Sequence, residues 1–285
     1  MEDGTVKITL VTPSYRQAEF IEGTIRSVLA QEDAELDWWI VDALSDDGTG
    51  EILDRYEGTA GLTIVRERDE GQGDAIAKGF RLGSGEVLGW LNSDDGLLPG
   101  ALAVVREAFA ANPAAVAVCG AGWKVDAEGR RTKRVAAREF DPKLIRSALT
   151  YLQPAMFFRR EAYEAVGGLD TSLEYAMDWD LLMKLAERGP VVAVDQELAE
   201  LRCYPATKSE AGGWDRLREI AEVGRRANGV TDRNWVAYRL RRMAAGSALA
   251  QRAVDFLLSR LYADRTVMVT GWVDENLKRG MKNEK

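Results

Sequence analysis

The sequence contains no histidine in 285 residues. That absence excludes a Ser-His-Asp triad, a Cys-His pair and a His-ligated zinc site. A general base in this chain is then a carboxylate, and a bound metal is a hard cation held by oxygen. Cysteine is nearly as scarce: Cys119 and Cys203 stand far apart in sequence. They form neither a CxxC motif nor a disulfide framework, which fits a reducing cytoplasm. No apolar stretch approaches the ~18 residues of a membrane span. The opening MEDGTVKITL is acidic and runs straight into a strand pattern, so no signal peptide is expected. Walker A sequences, internal repeats and low-complexity tracts are also missing.

What is present is ordinary globular material, 46% hydrophobic and 29% charged, enough for one large domain or a domain with an appendage. The net charge of −8 is spread unevenly: from Trp214 onward 15 Lys+Arg face 9 Asp+Glu, a net of +6, leaving −14 on the first 213 residues. An acidic body argues against nucleic-acid binding. The basic tail reads either as a solvated helical face or as a surface for a partner or an anionic membrane.

Along the first half, strand and helix signals alternate. VKITLVT (6–12) is a β-rich apolar run that Pro13 should stop. Helical periodicity follows over Ala18–Leu29 through Phe20, Ile21, Ile25, Val28 and Leu29. Strand patterns recur at Trp38–Val41, Leu62–Val65, Val87–Leu91 and Val116–Val118. Helices are expected over Gly50–Tyr56, Asp74–Leu82 and Leu102–Ala111. Such alternation predicts an α/β fold with a mostly parallel sheet covered on both faces. The pattern loosens over 139–151. A strand, a short helix and a Gly-Gly turn are then expected over 153–170, a helix over 177–189 and a strand over Val191–Val194. Helices dominate from Trp214, where Val254, Leu257, Leu258 and Leu261 repeat at helical spacing.

Ligands of such sheets bind outside the carboxyl ends of the strands. Three of those ends carry polar clusters: TPSY (12–15), Asp42 with SDDGT (45–49), and NSDD (92–95). Two adjacent carboxylates repel, and burial makes this worse. Asp94 and Asp95 are therefore best explained by Mg²⁺ or Mn²⁺, which takes one or two protein carboxylates and fills its shell with water and phosphate. By itself NSDDG is equally a good turn. Asp42 suits a nucleobase N–H or a ribose hydroxyl, or simply caps the next turn. GQGDAIAKG (71–79) is a poor dinucleotide fingerprint, because that motif belongs after the first strand. Asp178 at the start of DWDLLMKLAERG is either an ordinary N-cap or a general base whose ionised form the helix terminus favours.

Five stretches, VTPSYRQAEFIEGTIRSVLAQ, WWIVDALSDDGTGEIL, ERDEGQGDAIAKGF, SGEVLGWLNSDDGLLPGAL and QPAMFFRREAYEAVGGLDTSLEYAMDWDLLMKLA, occur in the order found in inverting glycosyltransferases of the GT-A fold, family two. The chain resembles that family over roughly residues 6–189. The resemblance implies a Rossmann-like, mostly parallel sheet with helices on both faces over 1–212, and a C-terminal helical extension over 213–285. It also implies residue roles. Thr12, Pro13 and Tyr15 would line the nucleotide pocket, and Asp42 would read the base. Gly71, Asp74 and Ser93 would lie by the nucleotide sugar. Asp94 would touch ribose or metal, and Asp95 would be the main ligand of Mn²⁺ or Mg²⁺. Asp178 would be the base, Gln153 and Trp179 would flank acceptor or sugar, and Arg202 and Lys208 would hold phosphate. Three positions depart from the family: Ala77 replaces a frequent Asn, Met177 a frequent Glu, and Tyr204 stands where a His is common.

The expected reaction is a single in-line displacement, moving a sugar from a UDP-, GDP- or dTDP-type donor to a hydroxyl of a glycan or lipid-linked acceptor with inversion. The expected location is cytoplasmic, with peripheral contact at the inner membrane face through the C-terminal helices. A nucleotidyltransferase and a non-catalytic nucleotide-sugar-binding protein are the competing readings. The first would want a Gly-rich basic loop after the first strand, where TPSYRQ is a poor one. The second is disfavoured by the presence of both Asp95 and Asp178.

Overall fold

A computed structural model describes residues 6–31, 35–137, 151–229 and 232–261. In chain order its elements are β1 (Ile8–Ser14), α1 (Ile21–Leu29), β2 (Leu36–Asp42), α2 (Thr49–Asp54), β3 (Leu62–Arg66), α3 (Gln72–Leu82), β4 (Val87–Trp90), β5 (Gly96–Leu97), α4 (Ala101–Ala111), β6 (Ala117–Val125) and β7 (Arg131–Val135). A single 3₁₀ turn (Gln153–Ala155) then leads into β8 (Met156–Arg159), α5 (Arg160–Ala165), α6 (Met177–Ala186) and β9 (Val191–Arg202). Four helices close the described chain: α7 (Lys208–Ala211), α8 (Gly213–Asn228), α9 (Arg233–Ala244) and α10 (Ala248–Leu261). The expected loosening over 139–151 falls almost wholly outside the described residues, as does the tail after 261.

β1 is buried at all its positions. Ile8 and Leu10 join a core with Ile21, Ile25 and Val28 of α1 and Leu102, Val105 and Phe109 of α4. Successive strand residues point to opposite faces, so Thr9 and Val11 face the other side, where α3 crosses. There the helix lies so close that a Cβ on Gly79 would sit 2.6 Å from Val11 Cγ1. Coverage on both faces is why this strand reads as a continuous apolar run.

Pro13 does not stop β1. The strand runs to Ser14, with Pro13 opposite Val41 of β2. Pairing with β4 ends at Val11↔Trp90, and the Val11 carbonyl accepts from Leu91 N–H on that side. Pro13 faces the same side one step later, where β4 has left, so its missing donor costs no ladder bond.

The sheet order is β3-β2-β1-β4-β8-β6-β9-β5, with β7 added on β6. The first four strands are parallel, as expected, so their carboxyl ends share one edge. Past β4 the sheet is mixed: β8 is antiparallel to both β4 and β6, β5 to β9 and β7 to β6, while β6 and β9 are parallel. β6 and β9 extend well beyond 116–118 and 191–194. The later half of β9 is rich in charge and that of β6 mixes small, polar and aromatic residues, so neither carries an apolar run. Cross-strand bonds hold them instead: Trp123 Nε1 donates to Glu197 (2.7 Å), Arg134 Nε to Glu197 (2.6 Å) and Arg131 Nε to Glu200 (2.8 Å).

Among the described residues, those up to 207 form one compact unit and those from 208 a second. Within the second unit, Asp232 caps α9 by accepting from Trp235 N–H at 3.0 Å. Buried Arg241 of α9 pairs with Asp255 of α10 at 2.8 Å. Leu258 is fully buried while Leu257 is exposed, so the 254–261 repeat presents only part of its apolar set inward. Among the described residues no helix is long and apolar enough to cross a membrane.

Candidate active site

The carboxyl ends of β1 and β2 are knitted by side chains that bond to backbone. Asp42, buried at the end of β2, accepts from Ser14 Oγ (2.8 Å), Ser45 N (2.9 Å) and Ser45 Oγ (2.7 Å). Its carboxylate is a hub for the turn that follows. SDDGT in turn clamps the loop after β1: Ser45 Oγ accepts from Arg16 N, Asp47 from Ala18 N and Thr49 Oγ1 from Gln17 N. Thr12 is fully buried, and its hydroxyl accepts from Trp38 Nε1 at 3.0 Å. Pro13 is buried as well. Of the three residues expected to line a nucleotide pocket, Tyr15 alone is exposed, at 54%. Thr12 and Pro13 support the edge from beneath.

Leaving β4, the chain turns through Asn92, Ser93, Asp94 and Asp95. Ser93 and Asp95 are buried and Asp94 is half-buried. Asp95 Oδ1 accepts from Arg202 N (2.9 Å), Oδ2 from Asn92 Nδ2 (3.1 Å), and its carbonyl from Thr24 Oγ1 (2.6 Å). Burial, then the neighbouring Asp94 charge, pushes the Asp95 carboxyl well above the usual carboxylate range. Burial also raises Asp94. Among the described residues neither forms a salt bridge: Arg202 Nε donates to the Asp94 carbonyl (2.9 Å), its Nη1 to the carbonyls of Asp126 (3.1 Å) and Ala127 (2.8 Å), and the guanidinium lies 5.0 Å from the Phe20 ring centroid. Arg202 thus braces these loops beside the acidic pair. Lys208 belongs to the second unit, where it opens α7.

A divalent cation fits this donor set. Two adjacent carboxylates are partly desolvated and, among the described residues, form no salt bridge, and each Asp95 oxygen keeps a lone pair beyond its one hydrogen bond. Among the described residues no group of three or more acidic or cysteine side chains is poised to chelate, so the cation would draw its other ligands from water and phosphate. Tyr204 completes the surround: its hydroxyl donates to Asp94 Oδ2 at 3.3 Å and its ring lies 5.0 Å from Phe20. Burial and the Asp94 charge hold the phenol neutral by raising its pKa.

The glycine-rich stretch comes to the same place. Gly71 takes φ +119°, which its missing Cβ permits, and caps α3 while its N–H donates to Asp69 at 3.0 Å. Asp74 accepts from Glu70 N at 3.2 Å and steadies this turn. Gln72 Nε2 donates to Asn92 Oδ1 at 2.7 Å, tying the turn to the acidic pair. A Cβ on Gly73 would meet Thr171 Cα at 3.2 Å and Met177 Sδ at 3.6 Å, so the start of α6 packs against the same turn. Asp178 stands there, half-buried, with Oδ1 accepting from Trp179 N at 2.8 Å. The helix cap is Ala176 rather than Asp178, which leaves Asp178 inside the first turn.

Two residues expected to flank acceptor or sugar are turned inward. Trp179 is fully buried. Gln153 is 8% exposed, with Nε2 donating to Trp90 O (2.8 Å) and Oε1 accepting from Asn92 Nδ2 (3.2 Å), so both of its ends are engaged. Gln72 and Asn92 were not anticipated as site residues, because nothing in their local sequence reveals a bond spanning 20 positions.

The model of the family described as "Glycosyl transferase family 2" matches residues 9–167. The chain is 32% identical over 267 residues to the O-antigen biosynthesis protein RfbC of Myxococcus xanthus, covering 87% of this chain and 20% of that protein. It is 28% identical over 200 residues to chondroitin synthase of Escherichia coli, covering 67% and 28%. It thus spans under a third of the length of these two relatives. Among solved structures, S. aureus TarS 1-349 in complex with UDP-GlcNAc superposes with a TM-score of 0.62 at 17% identity over 85% of this chain and 74% of that one. The mannosyltransferase PcManGT of Pyrobaculum calidifontis, in complex with GDP-Man and Mn²⁺, gives 0.63 at 17% identity over 99% and 89%. These likenesses establish the GT-A fold. With its strand-end carboxylates, its five ordered motifs and the family match across more than half its length, this chain belongs to glycosyl transferase family 2.

Proposed function

We propose that this enzyme moves a sugar from a nucleoside diphosphate donor to a hydroxyl of a glycan or lipid-linked acceptor, with inversion and with a divalent cation. The observation that carries the reading is the Asp94–Asp95 pair at the carboxyl end of β4, desolvated and, among the described residues, without a salt bridge, since Arg202 beside it bonds to backbone carbonyls. Asp95 and Asp94 would hold Mn²⁺ or Mg²⁺. When bound, the cation would supply charge neutralisation for the departing diphosphate. Tyr15 offers an exposed ring for a nucleobase at the neighbouring strand end.

Asp178 accepts the proton of the acceptor hydroxyl. The freed oxygen attacks the anomeric carbon from the face opposite the diphosphate. The bond to the leaving oxygen breaks with its electron pair, through a transition state of oxocarbenium character. One base and no protein nucleophile give inversion. Asp178→Asn keeps the shape and removes the base, so turnover should fall by about 10²–10⁴-fold with donor affinity retained. Initial rates and product anomeric configuration check this. Unchanged transfer in Asp178→Asn would remove the assignment.

We also place the enzyme on the cytoplasmic side, in peripheral contact with an anionic membrane. Support comes from the second unit, where Met243, Leu249 and Phe256 are exposed at 81%, 79% and 62% on arginine-rich helices. Apolar side chains beside cationic ones suit such a surface. Sedimentation with vesicles of anionic lipid should exceed that with neutral lipid, and equal sedimentation would remove the membrane contact.

A further inference from the structure

Behind the acidic pair runs a line of side-chain amides whose polarity is fixed from one end. The Trp90 carbonyl can only accept. Gln153 Nε2 donates to it at 2.8 Å, so Gln153 Oε1 must face away, and it accepts from Asn92 Nδ2 at 3.2 Å. The same Asn92 Nδ2 donates to Asp95 Oδ2 at 3.1 Å. With its amino group held by two acceptors, Asn92 turns Oδ1 to Gln72 Nε2, 2.7 Å away. Each amide therefore has one orientation that satisfies its neighbours, set by the acceptors at the end of the line.

We propose that Gln72 and Asn92 are positioning residues that set the metal affinity of Asp95 from the glycine-rich turn. This rests on the reading of Asp94 and Asp95 as a cation site. The acceptors Gln153 Oε1 and Asp95 Oδ2 set which way the Asn92 amide faces, and the donor at position 72 anchors its carbonyl, which holds the amino group in place on Asp95 Oδ2. That bond fixes one carboxylate oxygen and leaves its remaining lone pair directed. The acidic pair is thereby coupled to the turn at 71–74, which packs against the start of α6. Displacing Gln72 would release Asn92, and with it the carboxylate.

The relay makes a prediction opposite in sign to simple electrostatics. Gln72→Glu adds a negative charge near the site, which alone would attract a cation. In the relay it sets a carboxylate against Asn92 Oδ1. A flip of the Asn92 amide gives no relief, because its oxygen would then face both Asp95 Oδ2 and Gln153 Oε1, so Asn92 and the carboxylate at 72 are pushed apart and the Asn92 amino group loses its fixed place on Asp95 Oδ2. Partners that orient metal ligands cost about 10–100-fold in affinity when lost. Mn²⁺ binding to the full chain, read by electron paramagnetic resonance with UDP and separately with GDP present, should be about tenfold weaker in Gln72→Glu. Gln72→Met, neutral and of similar length, should fall between it and the parent. Metal-free melting curves check that both variants fold. Mn²⁺ affinity equal to or tighter than the parent's in Gln72→Glu, or unchanged in Gln72→Met, would overturn the relay while leaving the cation site standing. No Mn²⁺ binding by the parent with either nucleotide would overturn the cation site, and the relay with it.

Discussion

Two strand ends of this protein carry the same signal, aspartate beside Ser, Asp and Gly, in different surroundings. At the end of β2, Asp42 receives three hydrogen bonds from Ser14 and Ser45. Its charge is distributed into a turn that holds the loop after β1. At the end of β4, Asp94 and Asp95 are desolvated, repel one another and, among the described residues, form no salt bridge. Asp95 accepts two hydrogen bonds and Asp94 one, yet burial and mutual repulsion still raise both carboxyls. Two adjacent buried carboxylates are costly without a positive charge, which is why the second cluster is the one proposed to take a cation.

The largest effect should come from Asp95→Ala. Losing the cation forfeits several kcal/mol of charge stabilisation in the transition state, which is about 10²-fold or more in rate. Metal-dependent nucleotide stabilisation should vanish with it, as read from initial rates and melting curves. Asp42→Ala should behave differently. It orphans the buried donor of Ser14 and the half-buried donors of Ser45 and should cost about 1–3 kcal/mol of stability, equally with Mn²⁺ and with EDTA. An Asp42→Ala protein of unchanged stability that had lost only nucleotide binding would dissolve the contrast.

The same contrast has a pH signature. The metal-free folded state holds protons on Asp94 and Asp95 more tightly than the unfolded chain does. Metal-free stability from this pair is therefore full below the ordinary carboxylate pKa and is lost as pH rises through the raised folded values. Cation binding requires the deprotonated pair, so the gain in melting temperature on adding Mn²⁺ should grow with pH over that window. A gain independent of pH would mean that the pair is not the ligand. Tyr204→Phe should have the smallest effect: the 3.3 Å bond to Asp94 is long, and its loss should weaken Mn²⁺ binding by about 0.5–1.5 kcal/mol, seen by calorimetry.

The expected parallel core was legible because β1, β2 and β4 are buried on both faces, which concentrates apolar residues into short runs. The strand-end clusters were legible for the complementary reason, as polar residues stand out against those runs. β5, β7 and the later halves of β6 and β9 were not, since cross-strand pairs such as Trp123–Glu197 stabilise them without an apolar pattern. Proline at position 13 misled because its effect depends on which side a neighbouring strand lies, a fact of topology. The burial of Thr12, Gln153 and Trp179 was equally illegible, because their residue types suit a site and a core alike. Among the described residues, the tie from Gln72 to Asn92 spans 20 positions and that from Asn92 to Gln153 spans 61. Nothing local encodes either.

The central claim is that Asp94 and Asp95 await a cation and a nucleoside diphosphate. Thermal unfolding with UDP, GDP, dTDP and CDP, each in Mn²⁺ and in EDTA, tests it most directly. A ligand at about 100 times its dissociation constant stabilises the folded state by ~2.7 kcal/mol. The account predicts a clear upward shift with at least one nucleotide in Mn²⁺ that disappears in EDTA. A nucleotide shift of equal size in EDTA, or no shift with any nucleotide, would contradict it.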